Sequence, residues 1–204
     1  MISILDYSVN NLRSVQKAFE HLGHETCVTS DPDEIARAEK LVLPGVGAFG
    51  EAMRNLDRKG LIEPVVAHAR AKKPLLGVCL GMQLLFDWSE ELGLSQGLGI
   101  LAGKVLRFPE APDLLIPHMG WSRLGFPRAT NLFSGLSEGE MCYFVHSYHV
   151  VPEVGCEEEI VAATAHHGAT FVAGVERDNV MGAQFHPEKS SAAGLRILDN
   201  FARL

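Results

Sequence analysis

Short apolar runs alternate with amphipathic stretches of helical length in the first half of the chain. In the stretch 11–23, for example, apolar side chains recur at a spacing of three to four residues, and Gly23 predicts its end. Strands are predicted at ISIL (2–5), ETCVTS (25–30), KLVLPG (40–45) and PLLGVC (74–79), and helices at 11–23, 48–58, 62–71 and 80–91. Regular alternation of this kind predicts right-handed crossovers and a parallel sheet with helices on both faces.

The pattern changes after about residue 97, where glycine and proline recur and strand-like runs follow one another closely. These runs are GKVLRF (103–108), MCYFVHSYHVV (141–151), EIVAATAHHG (159–168), TFVAGVERD (170–178) and VMGAQF (180–185), and the stretch 191–204 predicts a closing helix. Closely spaced strands favour antiparallel or mixed pairing. The expected fold class is therefore α/β, a single domain over residues 1–204 with an open mixed, largely parallel sheet of flavodoxin-like type.

Composition excludes several classes of protein. The formal net charge of −7, without a basic stripe, argues against nucleic-acid binding. No apolar run is long enough to span a bilayer, and the first residues lack the features of a signal peptide. The four cysteines show no paired C-x-x-C spacing, which predicts free thiols and a reducing cytoplasm.

Cys79 lies in the sequence Gly77-Val78-Cys79-Leu80-Gly81, between a predicted strand and a predicted helix. G-x-C-x-G is the cysteine counterpart of the nucleophile elbow, a sharp turn that leaves room only for glycine two positions to either side. Such a turn raises the sulfur above the sheet end and aims the next amide, that of Leu80, at a carbonyl under attack. A buried cysteine in an ordinary glycine-flanked turn is the alternative interpretation.

A thiolate that attacks an amide needs an imidazole as base and a third group to orient that ring. The stretch Gln184-Phe185-His186-Pro187-Glu188 supplies both, since His186 follows a predicted strand and Glu188 comes two residues later. Alone, His186 is more simply read as a hydrogen-bonded surface histidine. The turn Pro44-Gly45-Val46-Gly47 offers a second amide for the oxyanion, although glycine-rich turns after strands are common.

Three motifs, LPGVGAFG, GVCLGMQLLF and QFHPEKS, occur in the order typical of class I (triad) glutamine amidotransferases, and the chain resembles this family over its whole length. The resemblance implies a Cys79-His186-Glu188 triad that forms a glutamyl thioester and releases ammonia, with the oxyanion on Leu80 and on Val46 or Gly47. It requires no metal or other cofactor. It also implies that the glutamine's amino-acid end is held by Gln83, Glu91, Ser147 and Tyr148. Polar helix surface is the alternative for Gln83 and Glu91.

Three further stretches, DYSVNNLRSV, IPHMGW and YFVHSYHV, resemble the family members that pass ammonia to a separate (β/α)8-barrel cyclase subunit in histidine biosynthesis. The resemblance implies a heterodimer with an ammonia channel. It places four residues at the partner interface: Asn11, Met119, Trp121 and Lys189. A buried tryptophan and a solvated lysine are the simpler interpretations of two of them. Related sequences commonly have glycine where this chain has Asn10, and asparagine is expected to keep the positive φ of that turn.

Several other functions stay open on the sequence alone. The chain could serve another ammonia-using synthase, of the pyridoxal-phosphate or purine pathway, or act as a cysteine hydrolase or chaperone of similar fold. A non-catalytic binding module is a further alternative, against which the complete Cys, His and Glu set argues. A metal site at His166 and His167, or at His146 and His149, would need additional ligands.

Overall fold

The structure is a computed structural model and describes residues 1–112 and 114–204. The strands are β1 (Ile2–Leu5), β2 (Thr26–Thr29), β3 (Lys40–Leu43), β4 (Leu75–Val78), β5 (Phe86–Ser89), β6 (Ser95–Gln96), β7 (Leu101–Arg107), β8 (His118–Arg123), β9 (Met141–His146), β10 (Tyr148–Pro152), β11 (Val161–His167), β12 (Ala169–Arg177) and β13 (Val180–Ala183). The helices are α1 (Leu12–His21), α2 (Pro32–Arg37), α3 (Phe49–Arg58), α4 (Ile62–Arg70), α5 (Leu80–Leu84), α6 (Glu157–Ile160) and α7 (Ser191–Ala202), with a short 3₁₀ helix at Pro187–Lys189.

Seven strands form the central sheet in the order β11-β12-β13-β4-β3-β1-β2. The five strands from β13 to β2 pair in parallel, whereas β11 and β12 are antiparallel. This confirms the predicted mixed, largely parallel sheet. β13 lies directly beside β4, with Ala183 opposite Val78, so the residues that follow the two strands emerge together at one sheet edge.

Helices cover both faces of this sheet, and successive side chains of β3 point to opposite faces. Val42 packs into the cluster that contains Phe19 of α1 and Phe201 of α7. Leu41 and Leu43 point the other way, into the cluster formed with α3, α4 and α5. Among the described residues, no helix is long and apolar enough to cross a membrane.

Two smaller sheets lie beside the central one. Four strands pair in the order β10-β7-β5-β6, and β8 pairs with β9 in antiparallel fashion. The predicted strand over 141–151 is therefore two strands of different sheets, β9 and β10, separated at Ser147. β6, β8, α2 and α6 have no counterpart among the predicted elements.

The predicted helix over 80–91 is wrong beyond its first five residues. α5 ends at Leu84, and the chain continues as β5. The carbonyl of Leu84 accepts from Leu98 N–H, and that of Leu85 accepts from the N–H groups of Ile100 and Leu101. Because these carbonyls bond to a later loop, the helical i to i+4 pattern cannot continue.

The expectation for Asn10 is also wrong. Positive φ occurs in the β1–α1 loop at Ser8 (67°) and Asn11 (79°), not at Asn10. The two residues with positive φ therefore flank Val9 and Asn10, and Asn10 is exposed to solvent.

Candidate active site

Cys79 occupies a strained corner between β4 and α5, with φ 54° and ψ −112°. A side-chain-bearing residue rarely adopts this conformation, which persists only where its surroundings enforce it. A Cβ on Gly81 would lie 1.8 Å from the carbonyl oxygen of Leu43, and one on Gly77 would lie 2.7 Å from backbone atoms of Gly81 and Met82. The two glycines therefore let β4, α5 and β3 approach closely enough to form the corner.

His186 stands beside Cys79 because β13 pairs with β4. Its Nδ1 lies 2.7 Å from Glu188 Oε1, across the turn that begins at Pro187. The backbone of this turn is tied to β9, since His186 N–H donates to the Tyr143 carbonyl and Ser190 Oγ donates to the His186 carbonyl and accepts from Tyr143 N–H. The ring is thereby fixed in position by its backbone as well as by Glu188.

The side chain of Glu188 is completely buried against the ring of His186 and does not line the pocket. Its Oε1 also accepts a 2.7 Å hydrogen bond from Asn11 Nδ2, whereas Oε2 has no partner among the described residues. Burial disfavours the ionised carboxylate, but hydrogen bonds from His186 and Asn11 outweigh this and lower the pKa of Glu188.

The electrostatics of the site favour a protonated imidazole. Burial disfavours the charged ring, but Cys79 and Glu188, on either side of it, together raise the pKa of His186 to about 10. Nδ1 is engaged by Glu188, and Nε2 is buried without a formed hydrogen bond to any described residue. Nε2 is thus the atom available to exchange a proton with the thiol or with a bound molecule.

A pocket of about 320 Å³ opens over Cys79 and His186. It is lined by Val46, Gly47, Cys79, Leu80, Gln83, Glu91, Pro117, Val145, His146, Ser147, Tyr148 and His186. The structure therefore brings together every residue predicted for the nucleophile, the base, the oxyanion and the substrate, with Glu188 against the ring of His186.

Three backbone N–H groups of the pocket have no hydrogen-bond acceptor among the described residues. The N–H groups of Leu80, Val46 and Gly47 donate no hydrogen bond to any described residue. Leu80 directly follows Cys79, and Gly47 adopts a φ of 108°, a conformation suited to glycine. These amides are free to stabilise a negatively charged oxygen in the pocket.

Two residues that are predicted to bind the substrate make hydrogen bonds to other residues around the pocket. Gln83 Nε2 donates to the Tyr148 carbonyl at 2.9 Å and to Gln184 Oε1 at 3.0 Å. Glu91 Oε2 accepts from Phe49 N–H at 2.6 Å, at the first residue of α3. Sequence reasoning missed Gln184, whose Nε2 lies 3.8 Å from Cys79 Sγ, although it belongs to the QFHPEKS motif.

Two buried histidines extend this polar network away from the pocket. His146 Nδ1 lies 2.8 Å from the Tyr148 carbonyl, its Nε2 lies 3.1 Å from His118 Nδ1, and His118 Nε2 lies 2.8 Å from Ser122 Oγ. Burial lowers the pKa of His118 to about 4 and that of His146 to about 3. Because a carbonyl only accepts, the neutral rings form a chain in which Ser122 donates to His118, His118 to His146 and His146 to Tyr148.

The residues predicted at a partner interface divide into two groups. Met119 and Trp121 are 64% and 47% exposed on the outer face of β8, and Lys189 is exposed at the end of the 3₁₀ helix. Asn11 instead turns its amide inward to Glu188. Sequence reasoning gave it a role toward a partner and missed this contact within the chain.

The predicted alternative of a metal site has no structural counterpart in the ranges 1–112 and 114–204. No group of three or more His, Cys, Asp or Glu side chains there is arranged to hold a metal ion. His118 and His146 bond to each other, and His167 bonds to a backbone carbonyl. All four cysteines are free.

Sequence comparison identifies the family and the relatives of this chain. The family described as glutamine amidotransferase class-I matches residues 3–204. The protein named imidazole glycerol phosphate synthase subunit HisH from Syntrophotalea carbinolica is 54% identical, with 98% of each chain covered. The proteins of the same name from Geobacter metallireducens (98% of this chain, 97% of that protein) and Moorella thermoacetica (100% and 94%) are 52% and 50% identical.

Solved structures share the fold at much lower identity. A crystal structure of a glutamine amidotransferase superposes with a TM-score of 0.76 at 19% identity, covering 100% of this chain and 99% of that one. The structure of PurLQS from Thermotoga maritima gives 0.75 at 20% identity, covering 99% and 97%. Because of the family match and the relatives of about 50% identity, the chain belongs to the class I glutamine amidotransferase family and, within it, to the HisH subunits of imidazole glycerol phosphate synthase.

Proposed function

We propose that this chain hydrolyses the side-chain amide of L-glutamine at Cys79 and passes the ammonia to a (β/α)8-barrel cyclase subunit. The observation that carries the proposal is the placement of Cys79 and His186 at the ends of adjacent strands in one pocket, with Glu188 bonded to the histidine ring. The chemistry of a thiol, an imidazole and a carboxylate in this order is that of acyl transfer through a covalent intermediate.

In the first step, Cys79 gives its thiol proton to His186 Nε2, Sγ attacks the amide carbon of glutamine, and the carbonyl oxygen becomes negatively charged. His186, protonated at Nε2, gives its proton to the amide nitrogen as the carbon–nitrogen bond breaks, so that ammonia leaves and a thioester remains. In the second step, His186 takes a proton from water, and the resulting hydroxide attacks the thioester. His186 then gives that proton to the sulfur as the carbon–sulfur bond breaks, so glutamate is released and the thiol is restored, while Glu188 keeps the ring oriented in both steps.

The free amides supply the electrostatic part of catalysis. Leu80, Val46 and Gly47 line the pocket together with Cys79, and the oxyanion is assigned to the N–H of Leu80 and an N–H of Val46 or Gly47. Removing one such donor typically slows an enzyme by about 10²- to 10³-fold. Gln83, Glu91, Ser147 and Tyr148 hold the amino-acid end of glutamine, with the Glu91 carboxylate facing its ammonium group.

The outer face of the β8–β9 hairpin is the proposed docking surface for the cyclase. Met119 and Trp121 alternate with less exposed residues along β8, and Val145 and Tyr143 lie opposite them on β9. The hairpin leads into Val145–Tyr148 at the pocket rim. A partner seated there would shield ammonia from water, where it becomes unreactive ammonium. The four free cysteines support a reducing compartment, and we place the complex in the cytoplasm.

The test is Cys79→Ala in the complex with its cyclase subunit. Glutamine-dependent product formation is expected to disappear, whereas formation from added ammonium salt persists, because the cyclase reaction does not need the thiol. Cys27→Ser is the matched control, since Cys27 lies on β2 outside the pocket, and should retain both activities. Loss of both activities in the Cys79 variant, or retention of both, would refute the proposal.

A further inference from the structure

The segment that carries the second oxyanion amide is tied down at its first residue by a tyrosine. The hydroxyl of Tyr7, in the loop that follows β1, donates a 2.5 Å hydrogen bond to the carbonyl of Pro44, directly after β3. Tyr7 is fully buried, and this is the one hydrogen bond that its side chain makes to the described residues. Since β1 and β3 are neighbours in the sheet, the bond joins two adjacent strand ends.

The same hydroxyl determines which residue can follow Pro44. A Cβ on Gly45 would lie 2.5 Å from the Tyr7 hydroxyl oxygen and 3.1 Å from Leu80 Cβ. The backbone at Gly45 is therefore enclosed between Tyr7 and the residue next to Cys79. Burial raises the pKa of Tyr7, and the charge of nearby Cys79 raises it further, so the hydroxyl stays protonated and available as a donor.

The other end of the segment is held independently. Phe49 N–H, at the start of α3, donates to Glu91 Oε2 at 2.6 Å. Between the two anchored ends, the N–H groups of Val46 and Gly47 make no hydrogen bond to any described residue. The result is a short span with fixed ends and two free amides that line the pocket.

We infer that Tyr7 is a positioning residue for the oxyanion segment, an inference that rests on the function proposed above. By holding the Pro44 carbonyl, its hydroxyl fixes the direction in which the chain leaves β3, and with it the direction of the free amides. Stabilisation of an oxyanion depends on donors that are already in place when the charge develops. Tyr7 therefore acts on the chemical step through the segment, without contact with glutamine.

The experiment is Tyr7→Phe, measured in the complex with the cyclase subunit. This variant removes one oxygen and keeps the ring in the core. The kcat for glutamine hydrolysis is expected to fall about tenfold, part of the loss seen when an oxyanion donor is removed, while KM changes less than twofold. The rate of Cys79 alkylation by iodoacetamide, and its pH dependence, should match those of the unchanged protein, because that reaction needs the thiol and no oxyanion.

Three controls separate the possible outcomes. Val65→Ala, in the buried face of α4 away from the pocket, lowers stability without affecting the segment and should keep kcat. Tyr7→4-aminophenylalanine retains a hydrogen-bond donor and should have most of the activity of the unchanged protein. If the phenylalanine variant fails to fold, this variant still tests the role of the donor. The Cys79→Ala complex reports on the proposed function itself, because it is inactive with glutamine whether or not Tyr7 matters.

The inference is overturned if kcat is unchanged in the phenylalanine variant or if the amino variant is as slow as the phenylalanine variant. It is also overturned if alkylation slows as much as glutamine hydrolysis, since Tyr7 would then act on the thiol and not on the segment. An unchanged kcat in Tyr7→Phe together with an inactive Cys79→Ala would leave the proposed function intact and reject only the role of Tyr7.

Discussion

The amide of Asn11 donates a 2.7 Å hydrogen bond to Oε1 of Glu188, the same oxygen that holds the ring of His186. Asn11 has a φ of 79°, a conformation that glycine adopts readily. The substitution Asn11→Gly therefore removes the side-chain amide without straining the backbone. Hydrogen bonds to charged groups contribute about 1.5 to 3 kcal/mol. Because only part of this free energy contributes to stabilising the transition state, we expect kcat for glutamine hydrolysis to fall about three- to tenfold with KM nearly unchanged.

The neighbouring residue provides the matched control. Asn10 is exposed and its side chain makes no hydrogen bond to the described residues, so Asn10→Ala should have the kinetics of the unchanged protein. The effect of Asn11→Gly should also be present in the isolated chain, because the contact lies within it. A defect seen only in the complex would show that Asn11 acts through the partner and not through Glu188.

Glu188 and Cys79 are both expected to control the protonation of His186. Together they raise its pKa to about 10 against the effect of burial. In Glu188→Gln the negative charge is lost, so the pKa of His186 should fall, and in the double variant with Cys79→Ala it should fall further, toward or below 6.5. NMR titration of the ring measures this directly. Equal pKa values in the unchanged protein and in Glu188→Gln would contradict the assignment of the carboxylate as the orienting group.

The glycines of the corner are expected to be essential for folding. In Gly81→Ala the added carbon would lie 1.8 Å from the Leu43 carbonyl oxygen, a contact that only backbone displacement can relieve. Such strain costs about 1 to 3 kcal/mol or more, and the variant should unfold at lower denaturant or fail to accumulate. Gly125→Ala is the control, because its carbon meets side-chain atoms alone, the nearest being Thr164 Oγ1 at 3.0 Å. Equal stability of the two variants would contradict this account of the corner.

The sequence predicts the features that are encoded locally. The alternation of apolar runs and amphipathic stretches gives β1 to β4 with α1, α3 and α4, because each element's own residues show its period. The G-x-C-x-G pattern predicts the corner at Cys79, since the glycines are required by contacts with nearby backbone. Pairing of β13 with β4, which brings His186 to Cys79, follows from the family resemblance more than from any local pattern.

Features that depend on distant partners could not be predicted in this way. The helix after Cys79 stops at Leu84 because carbonyls at its end bond to the loop 98–101, which no local propensity reveals. Asn11 bonds to Glu188 at a separation of 177 residues, and Tyr7, after β1, bonds to Pro44, after the neighbouring strand β3. Each contact becomes visible only when the strand order is known.

Stability is expected to fall in mild acid because of the buried histidine pair. The folded protein holds the pKa of His118 near 4 and that of His146 near 3, whereas the unfolded chain has the ordinary value of 6.5. Below pH 6.5 the unfolded state therefore binds more protons. The free energy of unfolding should decrease, by up to about 1.4 kcal/mol per pH unit for each histidine, until the folded pKa values are reached.

Chemical denaturation at pH values between 8 and 4.5 measures this dependence. In His118→Leu one titrating ring is absent, so the curve of stability against pH should be flatter, although stability at pH 8 is lower because Ser122 and His146 lose a partner. His21 is a surface histidine on α1, and His21→Leu should leave the slope unchanged. A slope in His118→Leu as steep as in the unchanged protein would contradict the assignment to this pair.

Trp121 is expected to dominate binding of the cyclase subunit. It is 47% exposed, and its ring lies edge-on to that of Tyr143 on the neighbouring strand, with centroids 6.1 Å apart. A partly exposed aromatic pair on neighbouring strands suits an interface hot spot, where truncation to alanine costs about 2 kcal/mol or more. Trp121→Ala should therefore raise the dissociation constant of the complex at least tenfold, as measured by calorimetric titration. Val154→Ala, at a residue 92% exposed outside the hairpin, should bind normally, and equal affinities of the two variants would place the docking surface elsewhere.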